Sequence, residues 1–192
     1  MRVLAGTGCR MDRDLVEQAQ RGDPEAFQAL VNGASDRLYA IAWRILRDAD
    51  RAEDALQQAL IQIWEDLPSL RDPERFDAWT YRLVVHTSYR EAKRERRWTS
   101  RIRVIPVDPP GDDRVGAVID RDEVERGFRC LTPEHRAVLV LHFFVGLPVS
   151  EISETLGIPV GTARSRLHYA VRSLRAAFEA DDRVVAAWRT TA

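Results

Sequence analysis

The side chains best suited to chemistry lie on two arginine-rich segments, and the chemistry they suit is recognition of nucleic acid. On a helical wheel starting near Val160, residues Arg164, Ser165, His168, Tyr169, Arg172 and Arg175 fall on one side, while Ala163, Leu167, Ala170, Val171 and Leu174 fall on the other. Arginine donates bidentate hydrogen bonds to guanine in the major groove, and serine or histidine reaches base edges from the first turns of such a helix. Just upstream, Val149-Ser-Glu-Ile-Ser-Glu-Thr-Leu156 and Gly157-Ile-Pro159 spell a short helix and a tight glycine-containing turn, so a helix-turn-helix is expected. An arginine stripe alone is often only a solvated helix face; the helix and turn in front of it favour DNA.

The second segment runs from Arg90 to Arg103. Arg90, Lys93, Arg94, Arg96, Arg97, Arg101 and Arg103 outnumber Glu91 and Glu95, a local balance of +5. Immediately before it stand Trp79, Tyr81, Arg82, His86 and Tyr89, so aromatic rings interleave with cations. Positive charge follows phosphates and aromatic faces stack unpaired bases, which is how proteins hold single-stranded DNA. Trp79 shares the face of Phe76 and Leu83 and is expected in the core. Tyr81, His86 and Tyr89 lie off the centre of that face and are the expected stacking side chains. A third surface is polar: Asp54, Gln57, Gln58, Ile61 and Glu65 are expected on the side of their helix opposite Leu60 and Trp64. A single exposed isoleucine there says little by itself.

Enzyme chemistry has no comparable signal. The four histidines, His86, His135, His142 and His168, form no His-Glu-x-x-His pair, and there is no phosphate loop or nucleophile motif. No catalytic residue, metal site or cofactor is expected.

These segments sit in a chain of 192 residues, 45% hydrophobic and 31% charged, inside the range of ordinary globular proteins. Lys plus Arg number 29 and Asp plus Glu 30, a net charge of −1, so any basic footprint is local. Only Cys9 and Cys130 are present, which excludes a disulfide-built scaffold and a four-cysteine zinc site and fits a reducing, cytoplasmic location. Uninterrupted apolar runs such as Ala137 to Leu141 are far below the about 20 residues of a membrane span. The start, Met1 to Cys9, has apolar residues only from Val3 to Gly6, too few for an export signal of about 7–15, and is expected to be a tail; Met11 is an alternative start.

From Asp12 to Arg97 the pattern is helical, with breaks at Gly22-Asp-Pro24, Asp48-Ala-Asp50 and Leu67 to Pro73. Asp23 and Asp72 precede prolines as helix caps, and Thr132-Pro133 repeats the device. Phe27, Leu30, Val31, Ala34, Leu38, Ile41, Ala42 and Ile45 mark one buried face; Leu56, Leu60, Ile63 and Trp64 mark the next, and Phe76, Trp79 and Leu83 the third. Val104 to Glu123 holds six acidic and two basic residues around Pro106, Pro109 and Pro110, an extended linker of net −4. Helical periodicity resumes near Val124 and runs to about Phe178. The expected architecture is all-α: a tail over 1–11, a helical domain over 12–100, an acidic linker over 101–123, a helix-turn-helix four-helix domain over 124–180 and a tail over 181–192.

These surfaces in this order resemble the extracytoplasmic-function (ECF) class of bacterial RNA polymerase sigma factors. The resemblance rests on Ala52-Glu-Asp-Ala-Leu-Gln-Gln-Ala-Leu-Ile-Gln-Ile-Trp64, Phe76-Asp-Ala-Trp-Thr-Tyr-Arg-Leu83, Leu131-Thr-Pro-Glu-His-Arg136 and the segment from Glu151 to Leu167. It implies that the first domain grips the clamp helices of the polymerase beta-prime subunit through Asp54, Gln57, Gln58 and Ile61. The same domain would open and read the minus-ten promoter element through Tyr81, Arg82, His86, Tyr89, Arg90, Lys93, Arg96 and Arg97. The second domain would read the minus-thirty-five element as duplex, with Arg164, Ser165 and His168 at base-contacting positions, Arg166 and Arg172 on phosphates and Thr162 beside them. The flap of the beta subunit and an anti-sigma factor are the further partners implied. The chain departs from the family pattern at His86, where asparagine is common, at Arg90, where aspartate is common, at Tyr169, where arginine is frequent, and at Ala163, where valine is usual. The rival reading is a dimeric helix-turn-helix repressor or activator acting without polymerase, for which the basic, aromatic segment would have no purpose.

Overall fold

A computed structural model describes residues 13–101, 127–128 and 130–191 of the chain. The expected tail over 1–11 and all of the expected linker after Arg101 lie outside the described residues. Four helices form the first unit: α1 Arg13–Gln20, α2 Pro24–Leu46, α3 Ala49–Asp66 and α4 Phe76–Arg101, with short 3-10 turns at Leu67–Ser69 and Pro73–Arg75. The second unit has α5 Pro133–Leu139, which continues as a π-helical turn Val140–Val145, then α6 Val149–Leu156 and α7 Val160–Thr191. No strand occurs among the described residues.

The helix starts follow from their caps. The Asp23 carboxylate accepts the backbone N–H groups of Glu25 at 2.9 Å and Ala26 at 3.2 Å, two of the donors that a helix start leaves unpaired. Asp48 does the same for Arg51 at 3.0 Å, and the Thr132 hydroxyl accepts from His135. Asp72 caps the turn Pro73–Arg75, so α4 begins at Phe76, three residues after the proline.

On α2, Leu30, Leu38, Ile41, Ala42 and Ile45 are buried as expected, whereas Phe27, Val31 and Ala34 are only half-buried at the edge of that face. Helix α3 corrects the expectation: Ala52, Ala55, Ala59 and Ile63 are its sealed positions, Leu56 and Leu60 are half-buried, and Trp64 is 50% exposed. The alanine stripe lets the α3 backbone close directly on α2 and α4, which turns the larger side chains to the margin. In α4, Phe76 is buried as expected but Trp79 and Leu83 are only half-buried, and the sealed residues are Thr80, Tyr81, Val84, Val85, Thr87 and Ser88. The Thr87 and Ser88 hydroxyls donate to the Val84 carbonyl at 3.0 and 2.7 Å, so these buried polar groups are satisfied.

Helix α4 is sealed on two sides because the two units pack together. It lies against α2 and α3 on one side and against α5 and α6 on the other. Ala137, Val138, Leu141 and Ile152 of the second unit join the same apolar cluster as Leu30 and Ile41, and a smaller cluster of Leu131, Leu139 and Ala170 holds α7 on α5. Helix α7 continues to Thr191, past the expected end near Phe178 and through the expected tail over 181–192, since no glycine or proline follows Gly161 to stop it. No helix among the described residues is long and apolar enough to cross a membrane.

Candidate nucleic-acid interface

The turn between α6 and α7 is built by three residues. Gly157 takes φ 64° and ψ 36°, a left-handed conformation that a side chain would strain, and its N–H closes on the Glu154 and Ser153 carbonyls. The Ile158 N–H then donates to the Ser153 carbonyl at 3.1 Å, and the Ser153 hydroxyl donates to the Ile158 carbonyl at 2.6 Å. This reciprocal clasp sets the angle at which α7 leaves. Its first turn closes on Pro159, whose carbonyl accepts from Thr162 at 2.9 Å and Ala163 at 3.1 Å.

Once that angle is set, the α7 periodicity decides what it presents. Ala163 and Ala170 are buried and Leu167, Val171 and Leu174 half-buried, while Arg164, Ser165, His168, Tyr169, Arg172 and Arg175 are exposed along one side. The His168 and Tyr169 rings stand edge to face, centroids 5.9 Å apart. Thr162 and Arg166 lie at the border, both half-buried, and the Ser165 hydroxyl donates to the Thr162 carbonyl at 3.0 Å. The Arg166 charge acts on Glu134 of α5. Burial opposes the charge on Glu134, but its own backbone N–H, the Thr132 hydroxyl, Arg96 and Arg166 together hold the carboxyl below the usual carboxylate range.

On α4 the sequence-derived set divides. Arg82, His86, Arg90, Lys93, Arg96 and Arg97 are exposed, and Arg82, Arg90, Lys93 and Arg97 line one cationic strip at three- and four-residue steps with His86 among them. Partial burial, then the positive charges of Arg82 and Arg90, lower the His86 pKa and favour a neutral ring. Tyr81 is elsewhere: it is 6% exposed, with the Arg37 guanidinium 5.5 Å from its ring centre. Burial, then Asp77, push its hydroxyl up to about 12 against the opposing effect of Arg37. Tyr89 is half-buried, and its hydroxyl oxygen is sealed without a hydrogen-bond partner. Burial raises its pKa strongly, with Arg166 of α7 near enough to oppose the rise. Tyr81 is therefore closed to an unpaired base, and Tyr89 is half-covered.

On α3, Asp54, Gln57, Gln58 and Ile61 are all exposed, Ile61 by 50%. Asp54, Gln57 and Gln58 line a polar cleft of ≈ 480 Å³ whose other wall is Thr87, Arg90, Glu91 and Arg94 of α4. The α3 strip and the α4 strip therefore share an edge. Arg51 of α3 also pairs with Glu95 of α4, fixing the two helices side by side.

The sequence reading missed an apolar surface on the second unit. Phe143 is 68% exposed and Phe144 39% exposed, and with Phe128, Val140, Val171 and Leu174 they line a groove of ≈ 470 Å³ flanked by Arg44 and Arg175. Periodicity does not foretell it, because the π-helical turn Val140–Val145 adds a residue to the helical repeat and swings both rings outward. The adjacent aromatic pair was the available signal.

Comparison with known proteins matches two regions. Residues 30–98, from α2 through most of α4, match the Sigma-70 region 2 family, and residues 127–176 match the Sigma-70, region 4 family. The chain is 33% identical over 165 residues to the ECF RNA polymerase sigma factor SigL of Mycobacterium tuberculosis, an overlap of 80% of this chain and 92% of that protein. The chain belongs to the ECF sigma factors. The ECF sigma factor SigW of Bacillus subtilis is 25% identical over 178 residues, covering 86% of this chain and 95% of SigW. Among solved structures, CnrH in complex with the cytosolic domain of CnrY superposes with a TM-score of 0.66 at 25% identity, covering 88% of this chain and 98% of CnrH. In this ECF sigma factor the region 2 match carries the α3 and α4 strips and the region 4 match carries the helix-turn-helix.

Proposed function

We propose that this ECF sigma factor binds core RNA polymerase and directs promoter-specific initiation in the cytoplasm. Its first unit takes the polymerase clamp helices on Asp54, Gln57, Gln58 and Ile61 and the minus-ten element on the α4 strip. His86, whose surroundings favour the uncharged ring, offers a flat face for an unpaired base, while Arg82, Arg90, Lys93, Arg96 and Arg97 run beside it for phosphates. The second unit reads the duplex minus-thirty-five element with Arg164, Ser165 and His168, with Arg172 on a phosphate and Thr162 and Arg166 at the margin. The Phe143 and Phe144 groove supplies an apolar surface for the flap of the beta subunit. An anti-sigma factor is a further proposed partner, supported by the likeness to CnrH, which was solved with the cytosolic domain of CnrY.

The observation that carries this reading is the pairing of two cationic helix faces of different kind, one behind a helix-turn-helix turn and one beside a polar protein-facing strip, in a chain of this family. Footprinting with the purified chain tests it. The reading predicts no protection of promoter DNA by the chain alone and protection of two elements with core polymerase; a palindrome protected by the chain alone would instead establish a dimeric repressor or activator.

A further inference from the structure

Helix α7 outruns the region that the family match covers. It extends from Val160 to Thr191, whereas the region 4 match ends at residue 176. Past the recognition turns its apolar side chains Val171 and Leu174 line the groove of ≈ 470 Å³ beside Phe143, which is itself 68% exposed. In the sequence the same three- and four-residue spacing continues through Phe178, Asp181, Val185 and Trp188. This is a heptad register: Val171, Phe178 and Val185 fall at a, and Leu174, Asp181 and Trp188 at d. Arg175 and Asp182 then occupy successive e positions beside the apolar line.

The pattern is its own complement when two copies of α7 run antiparallel. With Phe178 opposite Asp181 of the second copy, Leu174 falls opposite Val185, Val171 falls opposite Trp188, and each Arg175 falls beside an Asp182. A slip of one heptad one way sets Arg175 against Arg175, and the other way Asp182 against Asp182, both repulsive. Parallel pairing sets Asp181 against Asp181 in the seam and leaves Arg175 beside alanine. A lone polar residue in an apolar seam costs stability but fixes register and orientation, which is the part Asp181 plays. We propose that the chain self-associates through α7 as an antiparallel, two-fold symmetric pair, with Trp188 of each copy at the groove of the other. Tryptophan in an apolar pocket is a common interface anchor, and the paired stretch over 168–191 spans about 36 Å at a rise of about 1.5 Å per residue. A groove so occupied is closed to other apolar partners, so pairing stores surplus chain away from the polymerase. That consequence, unlike the pairing, rests on the assignment of the groove to the beta-subunit flap.

Sedimentation velocity of the full chain over a concentration series tests the pairing and should show a reversible monomer–dimer equilibrium. Asp182→Arg sets arginine against Arg175 and should weaken dimerisation at least about tenfold, whereas Arg175→Asp combined with Asp182→Arg carries the pair reversed and should restore it to within about threefold. Trp188→Ala should weaken it at least about thirtyfold. Circular dichroism reports whether each variant keeps its helices; should Trp188→Ala lose them, the charge reversal decides alone. A chain that stays monomeric throughout, a dimer indifferent to Asp182→Arg, or a double reversal that fails to restore pairing would overturn the proposal. Core polymerase should dissolve the dimer, and a chain still paired while bound to polymerase would overturn the storage role. Promoter-specific transcription by a chain that never pairs overturns the pairing alone; a pairing chain that directs no transcription overturns the assigned function alone.

Discussion

Trp64 stands edge-on to Phe27, ring centroids 4.6 Å apart and planes at 71°, while half of its surface stays in water. Three residues before it, Ile61 is equally exposed, so the exposed polar strip of α3 ends in two apolar side chains one turn apart. Exposed aromatic and aliphatic neighbours beside polar groups are the anatomy of a binding hot spot. Replacing Gln57 and Ile61 by arginine should weaken association with core polymerase by at least about thirtyfold, the factor that a hot-spot loss of about 2 kcal/mol gives, while helical content is unchanged. Trp64→Ala should weaken it too. Co-purification with polymerase reads both, and wild-type recovery of the Gln57→Arg, Ile61→Arg protein would take this face out of polymerase binding.

Two of the three candidate stacking residues on α4, Tyr81 and His86, should fail in different ways. Tyr81 is buried, so Tyr81→Ala should cost about 3–5 kcal/mol of stability, as truncating a buried aromatic does. His86→Ala should leave the melting temperature nearly unchanged and weaken open-complex formation, since stacking is worth about 1–3 kcal/mol per unpaired base. Thermal unfolding separates them, and a premelted promoter template should restore part of the His86→Ala defect.

In the α6–α7 turn, a loss of stability should also be a loss of DNA binding. Gly157→Ala forces a side chain into a left-handed conformation and should cost about 1–2 kcal/mol. Ser153→Ala removes the 2.6 Å bond to the Ile158 carbonyl and should cost about 1 kcal/mol. Denaturant unfolding measures both losses, and each variant should also lose minus-thirty-five binding beyond what its unfolded fraction explains.

The caps and the recognition helix were legible in the sequence because each is a local device. Asp23-Pro24 and Thr132-Pro133 announce their helices, and the alternation of Ala163, Leu167 and Ala170 with Arg164, His168 and Arg172 is a property of one helix alone. Trp64 and Tyr81 were misplaced because their burial depends on what packs from outside. The α3 core is a stripe of alanines, residues too small to mark a face, and α4 is covered from two directions, so its sealed positions span more than one face and no single amphipathic stripe describes them. Contacts such as Arg44 on Phe144 join residues 100 positions apart and leave no periodic trace.

The lowered His86 pKa has a consequence with a definite sign. The folded chain releases the imidazole proton more readily than the unfolded chain, whose histidine titrates at about 6.5. The contribution is fully present above that value and is lost as pH falls through it towards the folded pKa, because the unfolded state then binds more protons. Stability should therefore decline on acidification from pH 7, and His86→Gln should flatten that decline. A titration of the His86 ring resonances should show a midpoint below that of an unstructured peptide.

On α7 the two classes of contact should separate. Arg164→Ala should flatten preference at one minus-thirty-five base pair at a cost of about 1–3 kcal/mol, and Arg172→Ala should weaken all sequences alike and lower the salt slope by about one.

Transcription by core RNA polymerase from a promoter library, with every minus-ten and minus-thirty-five base varied, tests the central claim most directly. With the chain added, run-off product is predicted from a restricted subset of promoters and none without it, and Arg164→Ala should relax that subset at a single minus-thirty-five position. Transcription that the chain leaves unchanged, or stimulates equally from every template, would contradict its assignment as a promoter-reading sigma factor.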